Sequence, residues 1–252
     1  MAQIQASSYS ILKKTIHGFE QLLWPCVCVN CGSVTAQNDK GLCEKCWQEL
    51  LGCVNTDYCP RCGTSVSKYI VYDGRCPQCR QVDFHLDGLA RAGIYAGALR
   101  RMIVSFKRDR TELLTHLSML ADPALRCSHF YDEIEMFVPV PLHWRRRLSR
   151  GYNQADLLTK KLSHPRAKIN YDLARVRHTK MQPAVSFEQR KANVRGAFAV
   201  RRGHRFEGKT ICLVDDVRTT GATLNECAKV LKEAGAAKVY ALVLAAAGQQ
   251  ND

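Results

Sequence analysis

Little in this sequence would carry it into or across a membrane. No apolar run approaches the roughly 20 residues that a spanning helix requires, and residues 242–247 fall far short. The N-terminus lacks the succession of basic charges, apolar segment and small-residue cleavage site that marks a secretory leader. Both absences imply a soluble, cytoplasmic protein with no stable membrane insertion. Acidic residues are scarce in one region. Residues 91–210 hold ten of them against 25 lysines and arginines, whereas residues 1–90 balance eight against eight and residues 211–252 sum to −1. The excess behind the net charge of +14 therefore lies in the middle of the chain. Such a segment presents a positive field to an anionic partner, phosphate or nucleic acid, a stronger reading than a merely solvated surface. Disorder is not expected over most of the length: 46% of the 252 residues are apolar, enough to bury the core of one large domain or two modest ones.

Cysteine, by contrast, is abundant. Ten of the thirteen cysteines fall within residues 26–79, eight of them as C-x-x-C pairs. A disulfide framework suits a secreted chain, and a redox C-x-x-C needs a thioredoxin-like setting that this sequence does not offer. The spacing is that of metal ligands. Cys28-Val-Asn-Cys31-Gly32 is followed after 11 residues by Cys43-Glu-Lys-Cys46, and Cys59-Pro-Arg-Cys62-Gly63 after 13 residues by Cys76-Pro-Gln-Cys79. Each first pair ends in glycine, which tolerates the positive φ of a tight knuckle. Four thiolates close a tetrahedral site with no open position for catalysis. Two structural zinc ribbons are therefore expected over residues 26–82, folding only with their metal. The repeat favours tandem over cross-braced pairing and leaves Cys26 and Cys53 spare. Ahead of the ribbons, Ile11, Leu12, Ile16, Phe19, Leu22 and Leu23 recur at near-helical spacing, which predicts an amphipathic helix within residues 1–25.

From residue 88 onward strands alternate with helices. Residues 88–95, 135–142, 210–214 and 238–244 read as strands; residues 99–106, 111–125, 153–162 and 222–234 read as helices. This alternation predicts an α/β domain over residues 88–252, a parallel sheet with flanking helices. Its sharpest motif is Cys212-Leu-Val-Asp-Asp-Val-Arg-Thr-Thr-Gly-Ala-Thr-Leu224. An apolar strand ends in two carboxylates, a turn follows, and a helix begins. Ligands of open α/β sheets bind at the carboxyl ends of strands, and the free amides of a helix N-terminus attract phosphate. Thr219, Thr220 and Thr223 add hydroxyls, while Gly221 and Ala222 leave room for close backbone approach. Asp215 and Asp216 suit sugar hydroxyls and a Mg²⁺ ion, held directly or through water. A Walker A loop is excluded, for there is no Gly-Lys-Ser/Thr. A second motif, VPVPLHWRRRLSRGYNQ over residues 138–154, sets a basic loop after a core strand. Its arginines could hold pyrophosphate in bidentate fashion; Arg150, beside Gly151, is favoured over the triplet Arg145–Arg146–Arg147.

The run from Asp215 to Thr223 resembles the phosphoribosyl-pyrophosphate signature of type I phosphoribosyltransferases. The resemblance implies that Asp215 and Asp216 contact the ribose hydroxyls. Residues Arg218, Thr219, Thr220, Gly221, Ala222 and Thr223 would then surround the 5′-phosphate. With the cysteine pairs, with Tyr95, Leu99, Arg100 and Lys107, and with the V-P-x-P-L-H and R-G-Y-N-Q stretches, the order of motifs resembles the ComF competence-protein family over roughly residues 20–247. Further matches are Arg177, Thr179, Gln182, Arg190, Asn193 and Gly196-Ala-Phe198. The resemblance implies a phosphoribosyltransferase-like domain behind a double zinc ribbon, acting in uptake or use of external DNA on the cytoplasmic side of the membrane. It further implies a ligand site for phosphoribosyl pyrophosphate and Mg²⁺ to which Lys107, Arg150, Thr179, Gln182 and Arg190 contribute; His143 reads either as a proton-transfer or phosphate contact there or as a structural histidine. Residues 177–198 would form a hood closing over that ligand. Two chemistries are open: transfer of a phosphoribosyl group to an unidentified acceptor, or sensing of phosphoribosyl pyrophosphate without a reaction. Single-stranded DNA and a helicase of the uptake machinery are the macromolecular partners that fit, with Trp144 and Tyr152 available to stack bases. Two departures from the family pattern stand out: Arg218 puts a charge where a small or apolar residue is usual, and Lys107 lies in Phe106-Lys-Arg-Asp109 in place of a lysine-aromatic-glycine run.

Overall fold

The computed structural model describes residues 25–35, 41–54, 56–81, 84–179 and 192–248. The amphipathic helix expected within residues 1–25 and most of the expected hood, including Gln182 and Arg190, lie outside the described residues. The chain forms two compact units, residues 1–52 and 53–252.

In the first unit, Cys28 and Cys31 sit on a knuckle closed by Gly32 at φ +76°. The Gly32 amide donates to the Cys28 carbonyl at 2.8 Å. Helix α1 (Glu44–Cys53) follows, so that Cys43 and Cys46 bracket its first turn. The second unit repeats the device: Gly63, also at φ +76°, donates to the Cys59 carbonyl at 2.8 Å, and Cys79 rides on the short helix α2 (Pro77–Gln81).

The rest of the second unit is the α/β body. Its elements in chain order are β1 (Gly88–Ile94), α3 (Gly97–Arg108), α4 (Leu114–Arg126), β2 (Met136–Pro139), α5 (Trp144–Arg150), α6 (Gln154–Lys161), β3 (Lys168–Ile169), β4 (Leu173–Arg175), β5 (Phe198–Val200), β6 (Thr210–Arg218), α7 (Ala222–Glu233) and β7 (Lys238–Ala246). Strands β1, β7, β6, β2 and β3 make one sheet in that order, and all its pairs are parallel. Strands β4 and β5 pair antiparallel as a separate ribbon. Parallel strands joined by crossover helices are covered on both faces. The central strands accordingly read as unbroken apolar runs, with Ile211, Cys212, Leu213 and Val214 all inaccessible to solvent.

At two places near the sheet's carboxyl edge the structure differs from the expectation. Strand β6 does not stop at Val214 but runs on through both aspartates to Arg218, because β7 continues beside it in register as far as Ala246. The expected basic loop after β2 is instead helix α5, N-capped by His143, whose ring accepts the Arg145 amide, and closed by Gly151 in the left-handed conformation. Arginine and leucine are good helix formers, and a cap at each end makes seven residues sufficient. From β6 the chain winds to β7, and from β2 it winds the other way to β3. The carboxyl ends of β6 and β2 therefore flank the point where the winding reverses, where such sheets bind ligands.

Candidate functional site

Side-chain alternation along β6 sends its two terminal carboxylates to opposite faces of the sheet. Asp216 meets the end of α3, where Lys107 Nζ lies 3.0 Å from its Oδ1. Asp215 faces the side of Arg175, the last residue of β4, and accepts the Asp216 amide at 2.9 Å. Burial, together with the neighbouring Asp216 carboxylate, pushes the Asp215 pKa up to about 7, while Lys107 and Arg175 pull the other way. A carboxyl so poised takes on charge readily when a cation or a set of hydroxyl donors arrives.

The turn after β6 is shaped by Gly221, at φ +81°, from which α7 starts. Thr220 Oγ1 accepts the Ala222 amide at 3.3 Å, Thr219 is exposed and Thr223 half-buried. The loop thus presents hydroxyls and backbone beside a helix N-terminus. Residues Arg150, Gly151, Tyr152, Asn153 and Gln154 hold the neighbouring elements. The Tyr152 hydroxyl donates to the Phe106 carbonyl, immediately before Lys107. Asn153 Nδ2 donates to the Val140 carbonyl at 3.0 Å, and its Oδ1 caps α6 through the Ala155 amide.

Of the arginines on α5, Arg145 and Arg147 are exposed, while Arg146 and Arg150 are half-buried. Arg150 Nη1 donates to Gln154 Oε1 at 3.3 Å. Arg146 Nη2 donates to the Thr179 carbonyl at 2.8 Å, and Arg175 Nη2 donates to Thr179 Oγ1. Thr179 is thereby buried between two guanidinium groups. Beside them the His143 ring packs against His178 with centroids 4.9 Å apart. Burial first, then His178 and the nearby arginines, lower the His143 pKa, so the ring is neutral near pH 7. Sequence reasoning passed over Arg175 and ranked Arg146 behind Arg150. Arg175 carries no local signal, and Arg146 stands out from its triplet only because the fold brings Thr179, 33 residues on, to its guanidinium. Next to this cluster a cleft of about 560 Å³ is lined by Trp144, Arg147, Lys160, Tyr171, Arg175 and Arg201 among others.

The Arg218 side chain lies against Gly221, where an added Cβ would meet its Nε at 3.4 Å. Only 8% of it is exposed, and the groups whose negative charge, as thiolates, would favour its cation are Cys62, Cys76, Cys59 and Cys79.

The eight paired cysteines form two clusters, Cys28, Cys31, Cys43, Cys46 and Cys59, Cys62, Cys76, Cys79, with all Sγ atoms in each within 4.8 Å of one another. The separations are 3.7 Å for Cys31–Cys43, 3.7 Å for Cys59–Cys79, 3.6 Å for Cys62–Cys76 and 3.8 Å for Cys76–Cys79. A tetrahedron with Zn–S bonds of about 2.3 Å has edges of about 3.8 Å. The thiols therefore stand where zinc ligands must stand. Cys26 and Cys53 belong to neither cluster; the Cys53 thiol donates to the Ala96 carbonyl at 3.3 Å.

Family models agree with this arrangement, a double zinc ribbon domain matching residues 19–80 and a phosphoribosyl transferase domain matching residues 148–252. The competence protein F of Haemophilus influenzae is 33% identical over 87% of this chain and 96% of its own length. The chain belongs to the ComF family. Other ComF-like relatives are the DNA utilization protein YhgH of Salmonella typhimurium, 30% identical over 85% of this chain and 94% of its own, and the competence protein ComFC of Bacillus subtilis, 27% identical over 84% and 90%. This ComF protein joins a type I phosphoribosyltransferase-like α/β body to a double ribbon with two structural zinc sites.

Proposed function

We propose that this protein binds phosphoribosyl pyrophosphate with Mg²⁺ at the carboxyl end of β6 and acts, in the cytoplasm, in the uptake or utilisation of external DNA. The observation that carries the ligand is the adjacent pair Asp215 and Asp216 ahead of the left-handed Gly221 turn, with Lys107 on one side and the Arg175–Thr179–Arg146 cluster on the other. Carboxylates take the ribose hydroxyls and the metal, residues 219–223 take the 5′-phosphate, and the guanidinium cluster takes the pyrophosphate. Thr179 and, through the hood, Gln182 and Arg190 close the site.

The role in DNA handling is supported by relatives named for competence and DNA utilisation, and by the cleft beside the site. Its cations and the exposed Trp144 and Tyr171 suit a single strand, phosphates on the arginines and bases on the rings. A helicase of the uptake machinery would hand over or receive that strand at the ribbons. The same cleft supports a second reading, in which it holds the acceptor of a phosphoribosyl transfer. Departure of pyrophosphate would then leave positive charge at the sugar carbon, stabilised by orientation and electrostatics without a covalent nucleophile.

Calorimetric titration of the wild-type protein and of the Asp215→Ala/Asp216→Ala variant with phosphoribosyl pyrophosphate and Mg²⁺ tests the ligand. Saturable binding by the wild type alone is expected, and no binding by a folded wild type removes the proposal. Pyrophosphate release on adding nucleobases or DNA would distinguish a transferase from a sensor. Single-strand affinity is expected to fall steeply with salt and on neutralising Arg145, Arg146 and Arg147. Insensitivity to both removes DNA from this surface.

A further inference from the structure

Two buried arginines of the second unit act on each other as like charges, and among the described residues neither pairs with a carboxylate. Arg91 of β1 is 3% exposed and Arg218 of β6 is 8% exposed. Arg91 reaches into the second ribbon: Nη1 donates to the Gly63 carbonyl at 3.0 Å and to Ser65 Oγ at 2.8 Å, and Nη2 donates to Thr56 Oγ1 at 2.9 Å. Its guanidinium lies 4.8 Å from the Tyr58 ring centroid. Arg218 is more isolated, and its Nε finds no hydrogen-bond partner among the described residues. Two like charges so buried are costly unless an opposite charge answers them. Free thiols do not supply it. Four thiolates around one zinc ion do, because that centre carries two negative charges, as many as the two arginines carry positive ones.

The same region touches the phosphate loop. Phe84 packs on the second cysteine cluster. It also closes off Gly221, where an added Cβ would meet Phe84 Cε1 at 3.6 Å and Arg218 Nε at 3.4 Å. The next amide, of His85, donates to Asn225 Oδ1 in the first turn of α7 at 2.7 Å. Arg218 itself is the residue from which the loop departs.

We propose that Arg218 is a positioning residue through which the second zinc–thiolate centre sets the shape of the loop over residues 219–223, with Arg91 balancing the remaining charge. The thiolate centre draws the guanidinium inward and away from the ligand's phosphate, and the inward pose fixes the residue that begins the turn. The zinc is thereby part of the ligand site's construction without touching ligand. The consequence for ligand binding rests on the reading of that loop as a phosphate site; the link between metal and loop does not.

Site-resolved thiol alkylation by a maleimide, read by peptide mass spectrometry, and amide exchange over residues 218–224 test the link without any ligand. In Arg218→Met, alkylation of Cys59, Cys62, Cys76 and Cys79 is expected to speed up about tenfold or more, as fits loss of a buried compensating charge. Alkylation at Cys28, Cys31, Cys43 and Cys46 is expected to stay unchanged while loop exchange rises. Arg218→Lys, which keeps the charge, should restore both. Methionine fills similar space, so equal behaviour of the two variants, or no change in either, overturns the proposal. Buried Cys212 and Cys227 report global unfolding. Should they react too in Arg218→Met, the wild type decides: on chelation, loop exchange must rise in step with metal loss from the second cluster, and loop exchange that ignores that loss overturns the link. Phosphoribosyl pyrophosphate titration of Arg218→Met is a separate arm, so a failure of ligand binding in the wild type leaves the exchange result to judge the link.

Discussion

Replacing Asp215 with asparagine is expected to stabilise the protein at pH 8 while weakening its ligand site. Burial and the adjacent Asp216 carboxylate raise the Asp215 pKa from 3.8 to about 7. The folded protein therefore holds this proton across a window in which the unfolded chain has released it. Where the native state binds more protons than the unfolded state, stability falls as pH rises. The loss begins near pH 4 and is complete a little above pH 7. At about 1.4 kcal/mol per unit, the ceiling is roughly 4 kcal/mol for the full shift. Coupling to Asp216 and residual solvent reduce it, so a gain on the order of 1–3 kcal/mol is expected for the asparagine variant at pH 8, shrinking toward pH 4. Differential scanning calorimetry of both proteins at several pH values reads this directly. Affinity for Mg²⁺ and phosphoribosyl pyrophosphate should run in the opposite sense. It should rise with pH toward about 7 in the wild type beyond whatever slope the asparagine variant retains, since that remaining slope belongs to the ligand. A constant stability difference between pH 4 and pH 8 would refute the argument, because it would mean that no proton is taken up at this carboxyl on folding.

Three other substitutions address other parts of the site. Gly221→Ala forces a side chain into a left-handed turn at φ +81°; about 1 kcal/mol of stability should be lost in a denaturant melt, with weaker ligand binding, and unaltered binding would show that the turn's shape is not what the ligand reads. Tyr152→Phe deletes the hydrogen bond to the Phe106 carbonyl, at a cost of about 1 kcal/mol; calorimetry should show reduced ligand affinity through a looser Lys107, and full affinity would detach the tyrosine from the site. Cys76→Ser should lower the zinc content by one ion per chain in elemental analysis and bring down the melting temperature of the α/β body, on which the second ribbon packs through Arg91 and Leu89; an unchanged melt would mean that this ribbon contributes nothing to the body's stability.

The strand, turn and helix that carry Asp215 to Thr223 were legible because the pattern is contiguous: an apolar strand, two acids, small residues, and a helix start within thirteen positions. The zinc ligands were legible for the same reason, since C-x-x-C fixes two ligands on one turn and the repeat fixes the pairing. What escaped was assembled by the fold. Arg175 carries no local signature, and it joins the cluster because Thr179, four residues on, also accepts from the distant Arg146. Arg218 reads in sequence as an extra charge beside the phosphate, and nothing local signals that cysteines about 140 to 160 positions earlier in the chain act on its buried guanidinium. The helix of Trp144–Arg150 was hidden because a run of arginines after Pro and His reads as an exposed loop, and only the His143 ring reaching the Arg145 amide reveals the cap.

The parallel sheet ends at β1, and the outward amide of Leu89 is taken by the carbonyl of Pro60 at 2.7 Å. Pro60 sits between two zinc ligands. An uncovered strand edge is a template on which other chains can add strands, and the knuckle of the second ribbon occupies that edge at Leu89. Oxidation or chelation of the Cys59–Cys79 cluster would bare the edge at that point, so metal starvation should bring clumping together with the lower melting temperature. A fragment that begins at residue 88 inherits the same exposed edge, whereas one that begins at residue 53 carries its own guard.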